Sequence, residues 1–131
     1  MSPSHRFERG HLYTRIGIQQ IVGGEIQTYL PQKAGLILAG CFSKDMNPGA
    51  PFIVQVGNAA KVARKADLLA LQPDTVFPVF TKGRRRDTHY RYEGCFRFDR
   101  LSAERADIAA AESESGRLDE LVYVLRLARV R

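Results

Sequence analysis

The alternation of apolar and polar positions predicts several strands along the chain. Residues 36–42 form an unbroken apolar run of strand length, which is typical of a strand buried on both faces. Residues 52–56 are β-branched and aromatic and predict a second buried strand. Residues 76–80 predict a third, whose internal proline favours a sheet edge or a bulge. Residues 89–98 alternate, which predicts a long strand with its four aromatic side chains on one face and a bend at Gly94.

Helical periodicity marks three other segments. It is clearest in residues 59–71, where apolar positions recur every three or four residues. A shorter helix is predicted over residues 15–22, and Gly23 is placed to stop it. The alanine-rich residues 101–112 predict a third helix, with Ser102 as its N-cap.

Weaker patterns complete the predicted order of elements. Residues 12–14 and 25–30 read as short strands. Residues 118–131 suit a strand by their β-branched content or a helix by their length, and we favour the strand. This order predicts an α+β fold, with a curved mixed sheet or a small β-barrel flanked by two or three helices. We expect one domain over residues 1–131, with 1–9 as a loose lead-in.

Composition excludes several classes of protein. Hydrophobic residues make up 44% and charged residues 26% of the chain, values that suit a globular domain and not a disordered one. No apolar stretch approaches the roughly 18 residues of a membrane span, and the N-terminus lacks the apolar run of a secretory signal. We therefore expect a cytoplasmic protein without a membrane partner. Cys41 and Cys95 are expected to be reduced and partly buried. The three histidines share no ligand spacing with them, so we expect no metal and no cofactor.

Basic charge is concentrated in one part of the chain. Four of the six net positive charges fall within residues 82–100, which include three consecutive arginines. The planar guanidinium group suits phosphates because it donates to two oxygens at once. Interleaved aromatic residues could stack on bases, although their alternation favours a place in the core. The expected phosphate contacts are Lys82, Arg84, Arg85, Arg86 and Arg91.

Sequence motifs of common enzymes are missing. The chain has no GxSxG, GxxxxGK[ST], HExxH or GxGxxG pattern. Gly23 and Gly24 are better explained as a helix stop than as a phosphate loop, because no lysine and hydroxyl residue follow at the required offsets. Nothing in the sequence places Glu25 and Asp45 together as a carboxylate pair. The sequence leaves enzymatic activity uncertain and favours a non-catalytic protein.

Residues 10–98 carry a series of short motifs: GHLYTRIGI, VGGEIQTYLP, GLILAGCF, NPGAPFIVQVGN, PVFTK and YRYEGCFRF. In this order they resemble the small SRA-like, or PUA-like, modules of McrA-type and other HNH modification-dependent restriction endonucleases. The chain departs from the better-known SRA pattern at residues 52–57, where a Tyr-Thr-Gly-rich turn is usual. It contains no HNH nuclease half, which argues against cleavage by this chain.

The resemblance implies a reader of modified DNA. Related domains flip the modified base out of the duplex into a pocket, where aromatic side chains sandwich it and polar groups bond its edge. Basic loops then hold the flanking phosphates. Tyr29 is a further candidate for the stacking face. By position, the resemblance implies these base-pocket residues: Tyr13, Arg15, Gly23, Gly24, Glu25, Gln27, Phe42, Asp45, Gln55 and Asn58.

Two other functions stay open. PUA-like relatives of the ASCH type include members that cleave RNA or hydrolyse small amides, which would require an acid–base set in one cleft, such as Glu25 with Lys33 or Tyr13. An RNA-binding PUA-like module would share the basic surface and differ in its contacts to the 2′-hydroxyl. The expected partner is modified, double-stranded DNA, with RNA as the alternative and a separately encoded nuclease as a protein partner.

Overall fold

Eight strands and three helices are found in residues 7–131, the part of the chain that this computed structural model describes. In chain order they are β1 (Leu12–Thr14), α1 (Arg15–Val22), β2 (Gln32–Lys33), β3 (Leu36–Ile37), β4 (Gly40–Ser43), β5 (Ile53–Gly57), α2 (Ala60–Ala70), β6 (Phe77–Lys82), β7 (His89–Ser102), α3 (Arg105–Ser115) and β8 (Leu121–Arg129).

The main sheet has the strand order β4-β6-β7-β8-β5, and β1 pairs with the first residues of β7. β4 and β6 run parallel, whereas every other neighbouring pair in this sheet is antiparallel. β2 and β3 form a separate two-stranded hairpin. The sheet is curled and mixed and is accompanied by three helices, so the predicted α+β class with a curved sheet is confirmed. β4 and β5 lie at the two ends of the described strand order and do not pair with each other, so the sheet is an open half-barrel.

The helices α1 and α2 form where the apolar periodicity predicts them. α1 ends at Gly23, whose φ is +84° and whose N–H donates to the carbonyl oxygen of Gln19 at 2.7 Å. Glycine adopts a positive φ at little steric cost. α2 buries Ala66 and Leu69. The C-terminal segment is a strand, β8, as its β-branched content indicates.

A register shift in β7 changes the face that its side chains occupy. Val79 of β6 pairs with Gly94, but the next residue, Phe80, pairs with Tyr92, so Glu93 is an extra residue in β7. One extra residue shifts the two-residue alternation of a strand by one position. The shift therefore turns the two halves of β7 toward opposite faces of the sheet.

The aromatic side chains of β7 divide accordingly between two hydrophobic clusters. Tyr90 and Tyr92 pack in one cluster, and Phe96 and Phe98 pack in or against the other. The prediction that all four share one face is wrong, because a bulge cannot be read from the alternation of residue types. Gly94, where the sequence predicts a bend, has a φ of +113°, a conformation that favours glycine, and lies next to the bulge.

The two clusters lie on opposite faces of the sheet, since the adjacent residues Cys41 and Phe42 of β4 belong to different ones. The larger cluster, which contains Phe42, is covered by α2. The smaller cluster, which contains Cys41, includes Ile18 of α1 and Phe7. Phe7 belongs to the predicted lead-in 1–9, so that prediction is wrong at this residue. Residues 1–6 of the lead-in lie outside the described residues.

Three other predicted elements differ from the structure. The apolar run 36–42 is divided between β3 and β4, because its two halves pair with different strands. Residues 25–30 form bends instead of a strand. The third helix starts at Arg105, and Glu104 occupies the N-cap position. Ser102 instead ends β7, where its hydroxyl accepts from the N–H of Glu104 at 3.2 Å.

The proline of β6 lies in an inner strand next to a bulge in β7, and not at a sheet edge. β6 lies between β4 and β7, and its register shifts between Val79 and Phe80. The ladder with β4 begins only at Val79, so Pro78 has a partner strand on the β7 side alone. A residue without a backbone N–H is tolerated where one side of the strand is unpaired.

Candidate functional site

A cleft of about 710 Å³, here called the first cleft, opens where the turns after α1, β4 and β5 meet. The N-terminal half of α2 forms a further wall. The volume lies within the range of roughly 300–1,000 Å³ that is usual for small-molecule sites. Half of the predicted base-pocket residues line this cleft: Glu25, Gln27, Phe42, Gln55 and Asn58.

Tyr29 presents an aromatic ring to the first cleft. Its hydroxyl donates to the carbonyl oxygen of Val62 on α2 at 2.6 Å, which holds the ring in place. Burial, followed by the charge of Asp67, raises the pKa of this hydroxyl well above its usual range, so it remains a donor. Phe42 is almost fully buried, with its ring centroid 6.4 Å from that of Tyr29. Tyr29 therefore offers the accessible aromatic surface, and Phe42 supports it.

Lys65 and Glu25 form an ion pair at the wall of the first cleft. Lys65 also donates to the carbonyl oxygen of Leu30 at 3.2 Å, and Glu25 accepts from the N–H of Gln32 at 3.1 Å. The hydrogen bond from Lys65 lowers the pKa of the Glu25 carboxyl below its ordinary value and outweighs the opposing effect of burial. These bonds fasten the bends at residues 25–30 to α2.

The acid–base pair of this cleft is thus Glu25 with Lys65. The predicted partners Lys33 and Tyr13 do not line it. Lys33 lies exposed in the β2–β3 hairpin, and Tyr13 packs against Phe7 at a centroid distance of 5.1 Å. The sequence shows Lys65 only as one of several residues on the polar side of a helix, so no neighbouring residue indicated that it pairs with Glu25.

The amide of Gln55 is already bonded at both ends. Its Nε2 donates to the carbonyl oxygen of Ala111 at 3.0 Å, and its Oε1 accepts from the hydroxyl of Ser115 at 2.5 Å. Gln55 is buried, so reading a base edge would require breaking bonds that join β5 to α3. Gln55 is a wall of the cleft, and the predicted reading role does not fit its bonding.

Gln27 and Asn58 remain available to a ligand. Gln27 is exposed, and within residues 7–131 its amide has no hydrogen-bond partner. Asn58 is also exposed, and its Nδ2 makes one long bond of 3.4 Å to the carbonyl oxygen of Asp119. Amide groups of this kind both donate and accept, as recognition of a base edge requires.

A second cleft of about 390 Å³ adjoins the first and shares five lining residues with it. Three cationic side chains, Arg15, Lys82 and Arg85, line the second cleft, and its lining among the described residues includes no aspartate or glutamate. The two clefts adjoin through these shared residues and are together called the groove. In the first cleft the cations Lys61, Lys65 and Arg117 are accompanied by two glutamates, whereas the charged residues that line the second within the described chain are all cations. The shared residues are Gln27, Thr28, Tyr29, Cys41 and Ser43.

Arg15 has unused donor capacity in the second cleft. Its Nη2 donates to the carbonyl oxygen of Glu25 at 2.6 Å, whereas its Nη1 is buried and has no hydrogen-bond partner within the described chain. Lys82 donates to the carbonyl oxygens of Arg85 and Asp87 at 2.8 and 3.1 Å, and its Nζ lies 4.7 Å from the centre of the Tyr90 ring. In residues 7–131 neither Arg15 nor Lys82 has an ion-pair partner.

Four predicted base-pocket residues lie outside both clefts. The Tyr13 hydroxyl accepts from the N–H of Glu8 at 2.9 Å, and its ring joins the smaller core cluster. Gly23 and Gly24 end α1, and a Cβ at Gly24 would lie 3.1 Å from the carbonyl oxygen of Gln32. The fourth is Asp45, whose Oδ2 accepts from the N–H of Arg85 at 3.2 Å.

The predicted phosphate-binding residues are only partly brought together. Lys82 and Arg85 line the second cleft. Arg84 and Arg86 are exposed in the loop that follows β6, and Arg91 is exposed on β7. The loop is shaped by Asp87, whose Oδ2 accepts from the N–H of Arg84 at 3.0 Å.

Both cysteines are free and buried, more fully than the sequence suggests. Cys41 borders both clefts, where burial raises its pKa to about 11 in spite of the nearby charges of Arg15 and Lys82. In the described residues, no three histidine, cysteine or acidic side chains are grouped so that they could hold a metal ion. None of the described helices combines the length and apolar character that crossing a membrane requires.

Comparison of the chain with family models, with curated proteins and with solved structures finds no match.

Proposed function

We propose that this protein is a non-catalytic nucleic-acid-binding module that takes a modified base, flipped out of duplex DNA, into the first cleft. The proposal rests on two adjoining clefts. The first offers the ring of Tyr29 and the amides of Gln27 and Asn58, and the charged residues that line the second within the described chain are all cations. A nucleotide has the same division, with a flat base at one end and a negative phosphate at the other.

The first cleft supplies what a flipped base requires. Extruding a base costs a few kcal/mol, and stacking on an aromatic side chain returns about 1–3 kcal/mol. Tyr29 supplies the ring, and its bond to Val62 spares the entropy of ordering it on binding. Gln27 is one of the residues that the two clefts share, and its amide has no hydrogen-bond partner within residues 7–131, so it can bond the base edge.

The loop that follows β6, here called the basic loop, supplies affinity for DNA and sets the position of the duplex on the protein. Lys82 and Arg85 lie at the groove, and Arg84 and Arg86 extend the positive surface beyond it. Contacts to phosphates hold the duplex without reading its sequence, so selectivity resides in the first cleft. We place the protein in the cytoplasm, where a separately encoded nuclease would act on the DNA that it marks.

A binding panel tests the proposal. Single- and double-stranded DNA and RNA are compared, each without modification and with 5-methylcytosine, 5-hydroxymethylcytosine or N6-methyladenine, with 2-aminopurine beside the target base to report flipping. We expect one modified duplex to bind best and to raise the 2-aminopurine fluorescence. Equal affinity for modified and unmodified duplexes, with no fluorescence change, would reduce the protein to a binder of the backbone.

The ion pair of Glu25 and Lys65 favours a second candidate, an ASCH-like hydrolase of RNA or small amides. An acid and a base in contact at a cleft wall are the minimum for proton transfer. Mass spectrometry of RNA and of small amides incubated with the protein tests this function. Turnover that is lost in Lys65→Met and kept in Lys61→Met would establish it, because only Lys65 touches the carboxylate.

A further inference from the structure

We propose that the second cleft is a phosphate subsite, in which Arg15 and Lys82 bind a backbone phosphate next to the flipped nucleotide whose base occupies the first cleft. This inference rests on the proposed function. In this proposal Arg15 and Lys82 contact one particular phosphate, whereas the exposed Arg84 and Arg86 of the loop after β6 attract the DNA backbone in general.

The position of the second cleft suits a phosphate linked to the base. The two clefts share the wall formed by residues 27–29 and by Cys41 and Ser43. A base, its sugar and its phosphate are covalently joined, so a phosphate must follow its base within a short distance. The adjoining cleft is where that phosphate would arrive.

The charge of the second cleft suits a phosphate as well. Among the described residues its lining includes Arg15, Lys82 and Arg85 and no carboxylate. Arg85 is partly neutralised by Asp45, with 3.7 Å between its Nε and the carboxylate oxygen. Within residues 7–131, Arg15 and Lys82 donate only to backbone carbonyl oxygens, and neither has a carboxylate within ion-pair distance.

The hydrogen bonding of the two cations also leaves room for an anion. A guanidinium has five donors, and Nη1 of Arg15 has no acceptor in the described chain. An ammonium has three donors, and Lys82 uses two of them on the loop. A phosphate oxygen in the cleft would accept from the remaining donor of Lys82, and bonds between charged groups are the stronger kind.

Neutral phosphate analogues test this subsite. Duplexes carrying one 5-methylcytosine, 5-hydroxymethylcytosine or N6-methyladenine are made with a single methylphosphonate at successive linkages around that base. Each is titrated against the wild type, Arg15→Gln, Lys82→Gln and the control Arg97→Gln, whose arginine is exposed elsewhere on β7. Thermal unfolding verifies that each variant is folded. Arg15 also holds the turn at Glu25, so if Arg15→Gln does not fold, the result with Lys82→Gln decides the test.

In the wild type we expect one linkage next to the modified base to lose about tenfold in affinity when it is made neutral, and the others to lose much less. Arg15→Gln and Lys82→Gln should each be clearly less sensitive to that linkage than the wild type, because one of the two cations is gone, whereas Arg97→Gln should respond as the wild type does. Equal sensitivity of all four proteins, or of all linkages, would overturn the subsite. The proposed function would survive that result as long as 2-aminopurine still reported flipping, and it would fail only if flipping and preference for the modified base were both absent.

Discussion

Arg15 donates a hydrogen bond of 2.6 Å from its Nη2 to the backbone carbonyl oxygen of Glu25. The first residue of α1 thereby fixes the turn that walls both clefts, and Lys65 of α2 holds the carboxylate of the same glutamate. The turn at residues 25–30 is also linked to β4, because the N–H of Cys41 donates to the carbonyl oxygen of Tyr29 at 2.9 Å, and the two side-chain bonds add to that link in positioning it. The groove is consequently sensitive to changes on α1 and α2, the helices that carry Arg15 and Lys65.

Removing the arginines of the loop should weaken binding to all sequences alike. In the triple variant Arg84→Ala, Arg85→Ala and Arg86→Ala, we expect the salt dependence to flatten by about one unit of log–log slope for each phosphate contact that is lost. Titration of a mixed-sequence duplex over a series of salt concentrations measures the slope.

The matched control for the loop variant changes three exposed arginines on β7, α3 and β8, namely Arg97, Arg105 and Arg126, to alanine. It removes the same net charge from other surfaces and should flatten the slope less. Equal slopes for the two triple variants would remove this loop from the binding surface.

Truncating Tyr29 should affect modified DNA more than unmodified DNA. Tyr29→Ala removes the aromatic surface of the first cleft and should cost about 1–3 kcal/mol of binding. Tyr29→Phe keeps the ring and loses only the bond to Val62, so it should retain most of the preference for the modified base. Competition titrations with paired duplexes measure that preference. A Tyr29→Ala variant that stays folded and keeps its full preference would rule out stacking on this ring.

The ion pair of Glu25 should make stability depend on pH on the acid side. The folded pKa of Glu25 lies below its ordinary value, so the pair stabilises the fold above the unfolded pKa and ceases to do so as the pH falls through the folded pKa. The Glu25 side chain is 47% exposed, and we therefore expect Glu25→Gln to cost no more than about 1 kcal/mol at pH 7. Urea unfolding at pH 7 and at pH 3 should show this cost shrinking at the lower pH, and an equal cost at both would exclude the pair as its source.

Gly94→Ala should destabilise the fold. The φ of Gly94 is +113°, and a Cβ there would lie 2.6 Å from the carbonyl oxygen of Arg131. A strained backbone position of this kind costs about 1–3 kcal/mol. Gly83→Ala is the control, because Gly83 lacks a positive φ and its Cβ would meet only the Asp87 carboxylate at 3.4 Å. Urea unfolding should separate the two variants, and similar midpoints would mean that the bulge adapts to a side chain.

Much of the local structure follows from the sequence by itself. Apolar periodicity places α1 and α2, and glycine at position 23 stops the first helix. The β-branched content of residues 52–56 and 118–131 is enough to identify β5 and β8. The turns that follow β4 and β5 are also readable as turns, and they meet at one cleft with residues 25–30, whose pattern predicts a strand instead. These features depend on backbone preferences and on which face of an element is buried, and both are recorded in neighbouring residues.

Only the tertiary structure decides which side chains share the site. It brings Lys65 to Glu25, commits the amide of Gln55 to α3, and leaves Tyr13 in the core. It also inserts Glu93 as an extra residue that turns the two halves of β7 to opposite faces. Strand order, bulge position and long-range pairing are determined by how separate elements compete to bury the same apolar surface. Residues far apart in the chain carry that information jointly, so no local pattern contains it.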